Sequence, residues 1–223
     1  MNEFTNVCIY ENFIRPEKKV IADKNGVKVF SIIPSGVLMI DAVNGSEKKA
    51  VNTVESRPSV VYTPKKNIAE IIADKFFMKI TPCEQVVYGD LHPHGVKGYD
   101  IKKIEPSDEN AAFVSEHYTL GYTKEEVYEI LKNRFMLGAY KDDKICGFIG
   151  MHEERSVGML EVLPDYRREG LGSELIRAAV EKFRENGFTP FAHIISTNEK
   201  SLALHRKLEG VTFTGTVYWL NRR

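Results

Sequence analysis

Hydrophobic and polar positions alternate in short runs over the first part of the chain. VKVFSII (Val27 to Ile33), GVLMIDA (Gly36 to Ala42) and SVVY (Ser59 to Tyr62) are rich in β-branched residues and bounded by turn formers, which predicts short strands. The spacing changes between Lys66 and Phe77, where Ile68, Ile71, Ile72 and Phe76 recur on one helical face. The reading is a small α+β unit. GDLHPHGVKG (Gly89 to Gly98) then breaks the pattern with three glycines and a proline, and a regular pattern resumes directly after it. This places a boundary near residue 98, with one domain over 1–98 and another over 99–223.

The second domain reads more clearly. DIKKIEP is a strand, and Ser107 caps a helix with Glu109 and Asn110 in its first turn. Thr123 and Glu126 form a capping box for a second helix that runs to Phe135. MLGAY, KICGFIGMH and VGMLEVL are strands separated by charged turns, an antiparallel meander. Leu171, Leu175, Ala179 and Phe183 then line one face of a helix over Gly170 to Asn186, stopped by Gly187. A strand (Phe191 to Ile195), a helix (Asn198 to Glu209) and the strand VTFTGTVYWL close the chain. The order is β-α-α-β-β-β-α-β-α-β.

Composition narrows the function. Lys plus Arg equals Asp plus Glu, 31 of each, so no net field draws in nucleic acid or an anionic membrane. The most apolar stretch, Phe30 to Ile40, is too short to span a bilayer and is broken by Pro34 and Gly36, and the N-terminus has no signal-like apolar region. Cys8, Cys83 and Cys146 are an odd, widely spaced set, read as free thiols in a reducing, cytoplasmic setting. His92 and His94 form an HxH pair with no third ligand of matching character nearby, so no metal site is expected.

The chemistry sits in LEVLPDYRREGLGS (Leu160 to Ser173), where a strand runs through a turn into a helix. In Arg167-Arg168-Glu169-Gly170-Leu171-Gly172, two glycines at the helix start let successive N–H groups face one spot, the helix dipole adds positive potential, and two arginines add charge. That suits a phosphate or pyrophosphate. It is not a P-loop GxxxxGK[ST], and no acidic residue is placed as in a dinucleotide fold.

With this motif, residues 100–223 resemble the GNAT superfamily of N-acetyltransferases, in which [RQ]-x-x-G-x-[GA] cradles the pyrophosphate of acetyl-CoA. The family's closing pattern N-x-x-A-x-x-L-Y-x-K-x-G-F is met by Asn198, Ser201 in place of Ala, Leu204, His205 in place of Tyr, and Lys207, followed by Glu209-Gly210 and a late Phe213. LEVLPDYRR and the extra N-terminal unit are most similar to the glycine N-acyltransferase-like branch. The resemblance implies an α+β (α/β GNAT) fold: a mixed, mostly antiparallel sheet flanked by helices, preceded by the smaller N-terminal α+β domain. That first domain reads either as a degenerate copy of the fold or as an unrelated substrate-selecting unit. Acetyl-CoA is the implied cosubstrate, with no metal. Its binding residues would be Val162, Leu163, Arg167, Arg168, Glu169, Gly170, Leu171, Gly172, Ser173, Asn198 and Lys207. Backbone groups around Glu161, Val162 and Leu163 would pair with the pantetheine arm, and the N–H near Val162 would polarise the thioester carbonyl.

Acetyl transfer to an amine needs a base for the amine and an acid for the departing thiolate. His205 stands where many relatives carry the tyrosine acid; the alternative is a histidine beside the cofactor with no acid role. His193, in the strand before Asn198, is a candidate base or a satisfied strand histidine. Glu154 is a second candidate base, although Ser156 is the residue that aligns with the glutamate of other relatives. Glu161, a carboxylate in an apolar strand, could line the acceptor pocket or support Arg167.

The expected function is acetyl transfer to a small-molecule amine, an amino acid or related metabolite, by direct attack in a ternary complex. The alternatives are a catalytically silent acyl-CoA-binding module and a protein N-acetyltransferase. The terminal strand could pair with its own sheet or, in a homodimer, with another subunit.

Overall fold

The structure is a computed structural model and describes residues 6–222. The first half contains α1 (Val7–Phe13), the strands β1 (Lys18–Lys24), β2 (Val27–Ile32) and β3 (Leu38–Ala42), then α2 (Glu47–Asn52), β4 (Val60–Thr63), α3 (Lys66–Phe76) and β5 (Met78–Tyr88). The second half contains β6 (Asp100–Lys103), α4 (Asp108–His117), α5 (Lys124–Asn133), β7 (Met136–Lys141), β8 (Lys144–Met151) and β9 (Val157–Val162). A 3-10 turn (Pro164–Tyr166), α6 (Leu171–Glu185), β10 (Phe191–Ile195), α7 (Glu199–Arg206) and β11 (Val211–Arg222) follow. The expected order of the second half is present in full, and the fold is the mixed, antiparallel-rich α+β arrangement.

The helix ends follow from local chemistry. Ser107 accepts the Asn110 N–H at 3.1 Å, and Thr123 with Glu126 forms both bonds of its capping box. The last helix is shorter than its pattern suggested, ending at Arg206 with Lys207 as its C-cap.

Strands form two sheets: seven in the order β1-β2-β3-β4-β11-β5-β10, and four in the order β6-β7-β8-β9. The long sheet is built from both halves, because β11 lies between β4 and β5 and β10 pairs with β5. Tyr218 to Asn221 of β11 are paired along both edges, so this stretch is an interior strand with no edge left for another subunit. β5 carries Pro82, whose missing N–H is tolerated, while its carbonyl accepts the Ser196 N–H at 3.0 Å.

Alternation along these strands sorts the core. One face of the long sheet carries Tyr62, Cys83, Phe191 and Val217, covered by Cys8 and Ile9 of α1. The opposite face packs Val61, Ile40 and Leu220 against α2 and α3, and Val86, Tyr88 and Ile194 against α6 and α7. On the short sheet, Phe148 and Met159 pack against α4 and α5. Among the described residues no helix is long and apolar enough to cross a membrane.

Candidate active site

β9 is distorted where the site begins. Its register with β8 sets Phe148 opposite Glu161 and Gly150 opposite Gly158, so Ile149 faces both Met159 and Leu160, and Met159 has φ +54°. This is a β-bulge, which bends a strand and re-aims its groups. β9 and β10 approach one another but belong to different sheets.

Beyond β9 the chain turns through Arg168 (φ +71°) and Gly170 (φ +87°) into α6. Gly170 is the N-cap and supplies no side-chain hydrogen bond, so the Leu171, Gly172 and Ser173 N–H groups have no capping side chain. These donors sit at the positive end of a 15-residue helix, a ready anion site. Gly172 leaves α6, α7 and β9 close together: a Cβ there would lie 3.3 Å from Leu204 Cδ2, a tight contact, and 3.9 Å from Val162 Cγ2. The residues present therefore fit a pyrophosphate.

The other cofactor-side residues have more local roles. Arg167 folds back onto β9, donating from Nε to the Val162 carbonyl at 2.8 Å and pairing through Nη2 with Glu161 Oε1 at 3.1 Å. The Leu163 N–H donates to the Cys146 carbonyl at 2.9 Å. Two of the three residues expected to receive the pantetheine arm thus have one backbone group committed within the protein. Arg168 is exposed, and exposed Glu169 accepts the Tyr99 hydroxyl at 2.8 Å. Asn198 caps α7 by accepting the Ser201 N–H at 3.1 Å, and Lys207 is an exposed C-cap. His92 pairs with Asp90, and the His94 and Gly95 N–H groups donate to Glu174, so the HxH pair serves loop structure.

His205 is only 4% exposed, and both its nitrogens are in use. Nδ1 lies 2.8 Å from the Ser201 carbonyl, which can only accept, so Nδ1 carries the proton and Nε2 accepts from the Tyr88 hydroxyl at 2.8 Å. Burial lowers its pKa further below the ordinary histidine value. In this arrangement His205 has no unbonded N–H, because its tautomer is fixed by its own helix.

His193 is also committed. Its Nδ1 accepts the Trp219 indole N–H at 3.2 Å, and its Nε2 lies 2.9 Å from the Gln85 carboxamide. Burial pushes its pKa down to about 4, against an upward pull from the Glu154 charge. A group that weak is a poor proton acceptor for an amine near neutral pH.

Glu154 is placed differently. It is buried, at 8% exposure, in the turn before β9, where Ser156 Oγ donates to its Oε1 at 2.5 Å and Asn12 of α1 donates to its backbone carbonyl at 2.8 Å. Its charge acts on His193, Cys83, Tyr118 and Tyr122. The contacts of this turn tie its carboxylate to Ser156 and its backbone to α1. Ser156 orients that carboxylate from the position where relatives place a glutamate. Glu161, by contrast, supports Arg167.

Sequence reasoning passed over Asn12, Gln85, Tyr88 and Trp219. Trp219 is the only tryptophan, a signal that was available; the others lie in segments whose pairing depends on the opposite half of the chain.

Residues 100–210 match the model of the acetyltransferase (GNAT) family. No curated protein matches the chain. Among solved structures, a Drosophila protein is similar with a TM-score of 0.72 at 18% identity, covering 89% of this chain and 74% of its own. A GCN5-related N-acetyltransferase-like protein from Streptococcus suis is similar with a TM-score of 0.61 at 11% identity, covering 100% of this chain and 95% of its own. A tandem GNAT protein from the clavulanic acid biosynthesis pathway is similar with a TM-score of 0.51 at 14% identity, covering 97% and 87%. At such identities these likenesses establish the fold, and the family match adds the activity class. The chain carries an acetyltransferase domain of the GNAT family over residues 100–210 and is an acetyltransferase of that type.

Proposed function

We propose that the protein transfers an acetyl group from acetyl-CoA to the amine of a small molecule, an amino acid or related metabolite, by direct attack, in a cytoplasmic, thiol-reducing setting. The observation that carries this reading is the buried Glu154–Ser156 pair at the start of β9, the strand whose other end leads through the 3-10 turn into the uncapped α6 N-terminus. The cosubstrate supplies an activated acyl thioester. Leu171, Gly172 and Ser173 N–H groups hold its pyrophosphate, and Arg167 and Arg168 add charge. Glu154 takes the proton from the acceptor ammonium, directly or through a water, with Ser156 fixing the carboxylate oxygen that receives it. The neutral amine then attacks the thioester carbonyl, the C–N bond forms as the C–S bond breaks, and CoA leaves as a thiolate that takes the amine's second proton by way of solvent.

The two halves repeat one order. β1-β2-β3, α2, β4, α3, β5 is matched by β7-β8-β9, α6, β10, α7, β11. Of the two readings of residues 1–98, this favours a degenerate copy of the fold, as in the tandem layout of the glycine N-acyltransferase-like branch. The turn before α2 contains Gly45 at φ +87°, like Gly170, but its N–H donates to the Glu47 carboxylate at 2.8 Å and the helix has only six residues. An internal anion occupies the place of a pyrophosphate, so one cofactor site is expected per chain.

A catalytically silent acyl-CoA-binding module is the second reading, favoured by the lack of a free donor on His205. Release of CoA thiol from acetyl-CoA across a panel of amino acids and amines, corrected for the three cysteines, separates them. Amine-dependent release supports transfer to a small molecule. Release with acetyl-CoA and protein substrates alone would move the acceptor class to proteins, and binding without release would support the silent module.

A further inference from the structure

β3 and β4 run parallel but pair only at Leu38–Val61 and Met39–Tyr62 before their ends diverge. The opening leads into a cleft of about 460 Å³, lined among the described residues by Asn6, Asp41, Lys65, Gln85, Thr214 and Thr216. Its walls carry two opposite charges. Asp41 is 4% exposed and its Oδ1 accepts the Ala42 N–H at 2.8 Å. Lys65 Nζ is bonded to Asn44 Oδ1 at 2.9 Å, a neutral partner. Among the described residues neither Asp41 nor Lys65 belongs to an ion pair, and the nearby Lys28 ammonium is bonded to Asp23 at 2.7 Å. Burial raises the Asp41 pKa to about 6 despite both lysines, so this carboxylate gains from a further cation.

Asn6, Gln85 and Thr214 share the remaining lining with Ala42, Pro64, Gly215 and Val217. Thr214 donates to Gln85 Oε1 at 3.2 Å and Asn6 donates to the same atom at 3.1 Å. We propose that this cleft is a second small-molecule site that takes a zwitterionic α-amino acid, its ammonium on Asp41 and its carboxylate on Lys65, with Thr214, Asn6 and Gln85 as polar neighbours.

The cleft is wired to the active site by two routes. Gln85 contacts His193, which holds Trp219. Asn6 caps α1 through the Ile9 N–H, and Asn12 on that helix holds the Glu154 carbonyl.

The test uses the full chain with glycine, L-glutamine and L-lysine as probes, read by Trp219 emission and titration calorimetry, with acetate and methylammonium as single-charge controls. At least one amino acid is expected to give a saturable signal in the native protein and in Glu154→Gln. Affinity should fall about tenfold or more in Asp41→Asn and in Lys65→Gln, the scale of one charge-assisted contact. Thr216→Val, which leaves both charges in place, is expected to lose less; circular dichroism verifies that each variant is folded. No saturable signal at millimolar probe would overturn the assignment, as would binding that survives Asp41→Asn but disappears in Glu154→Gln, which would place the probe at the acceptor site. Methylammonium binding as tightly as the amino acids would also overturn it. CoA release is measured separately, so failure here leaves the acetyl-transfer reading to its own test.

Discussion

The Tyr88 hydroxyl lies 2.8 Å from His205 Nε2, joining the last strand of the first half to the helix that closes the active-site half. Both side chains are buried, at 3% and 4% exposure, so the bond is shielded from water. Tyr88→Phe leaves Nε2 without its donor and is expected to cost about 1–3 kcal/mol of stability. Urea unfolding measures the loss. Turnover at saturating acetyl-CoA should change little in the folded variant; a large drop in kcat with an altered pH profile would restore an acid role to this pair.

Glu154→Gln keeps the shape of the buried site and removes the proton acceptor. The expected loss in kcat is about 100-fold or more at neutral pH, with KM for acetyl-CoA unchanged. The defect should shrink as pH rises toward the pKa of the acceptor amine, because solvent then supplies the neutral nucleophile. Ser156→Ala should lie between the variant and the native enzyme. A Glu154→Gln enzyme with native kcat would remove the base from the account.

Gly172→Val places a branched side chain where even a Cβ meets Leu204 at 3.3 Å. KM for acetyl-CoA should rise steeply while unfolding midpoints fall only modestly, since the position is half-buried. Arg168→Ala should raise the same KM less, in a salt-dependent way, because its charge is exposed.

Two buried groups give opposite slopes of stability against pH. His193, lowered to about 4, is protonated more readily in the unfolded chain, so its contribution is complete above pH about 6.5 and is lost as pH falls toward 4. Asp41, raised to about 6, holds its proton more readily in the folded protein, so its contribution is present below about 4 and is lost as pH rises through 6. The two oppose each other over the same window. Asp41→Asn should therefore show stability rising more steeply with pH between 4 and 6.5 than the native protein, measured by urea midpoints. An unchanged or shallower slope would contradict this.

Much of the second half could be read from local signals. The capping box at Thr123, the four-residue stripe from Leu171 to Phe183 and the glycines of the α6 entry depend on neighbours in sequence. The strand β5 was not legible because Pro82, Glu84 and Gln85 interrupt its apolar pattern, and it is held by β10 and β11, more than 100 residues away. α1 was missed because it is seven residues long and is stabilised by packing and by an Asn6 cap. Glu154 was named from its place in a turn. That Ser156 orients it depends on the side-chain geometry of that turn, and that His193 and His205 are committed to Trp219 and Tyr88 follows from how β5 of the first half is held beside β10 and β11.

The most direct test of the central claim is thermal unfolding of the full chain against increasing acetyl-CoA, with pantetheine, which lacks the pyrophosphate, as the control. Ligand at 100 times its dissociation constant stabilises a native state by about 2.7 kcal/mol. The account expects a saturable rise with acetyl-CoA, little with pantetheine, and loss of the rise in Gly172→Val. No shift at millimolar acetyl-CoA, or an equal shift with pantetheine, would contradict the assignment of the α6 N-terminus as the pyrophosphate site.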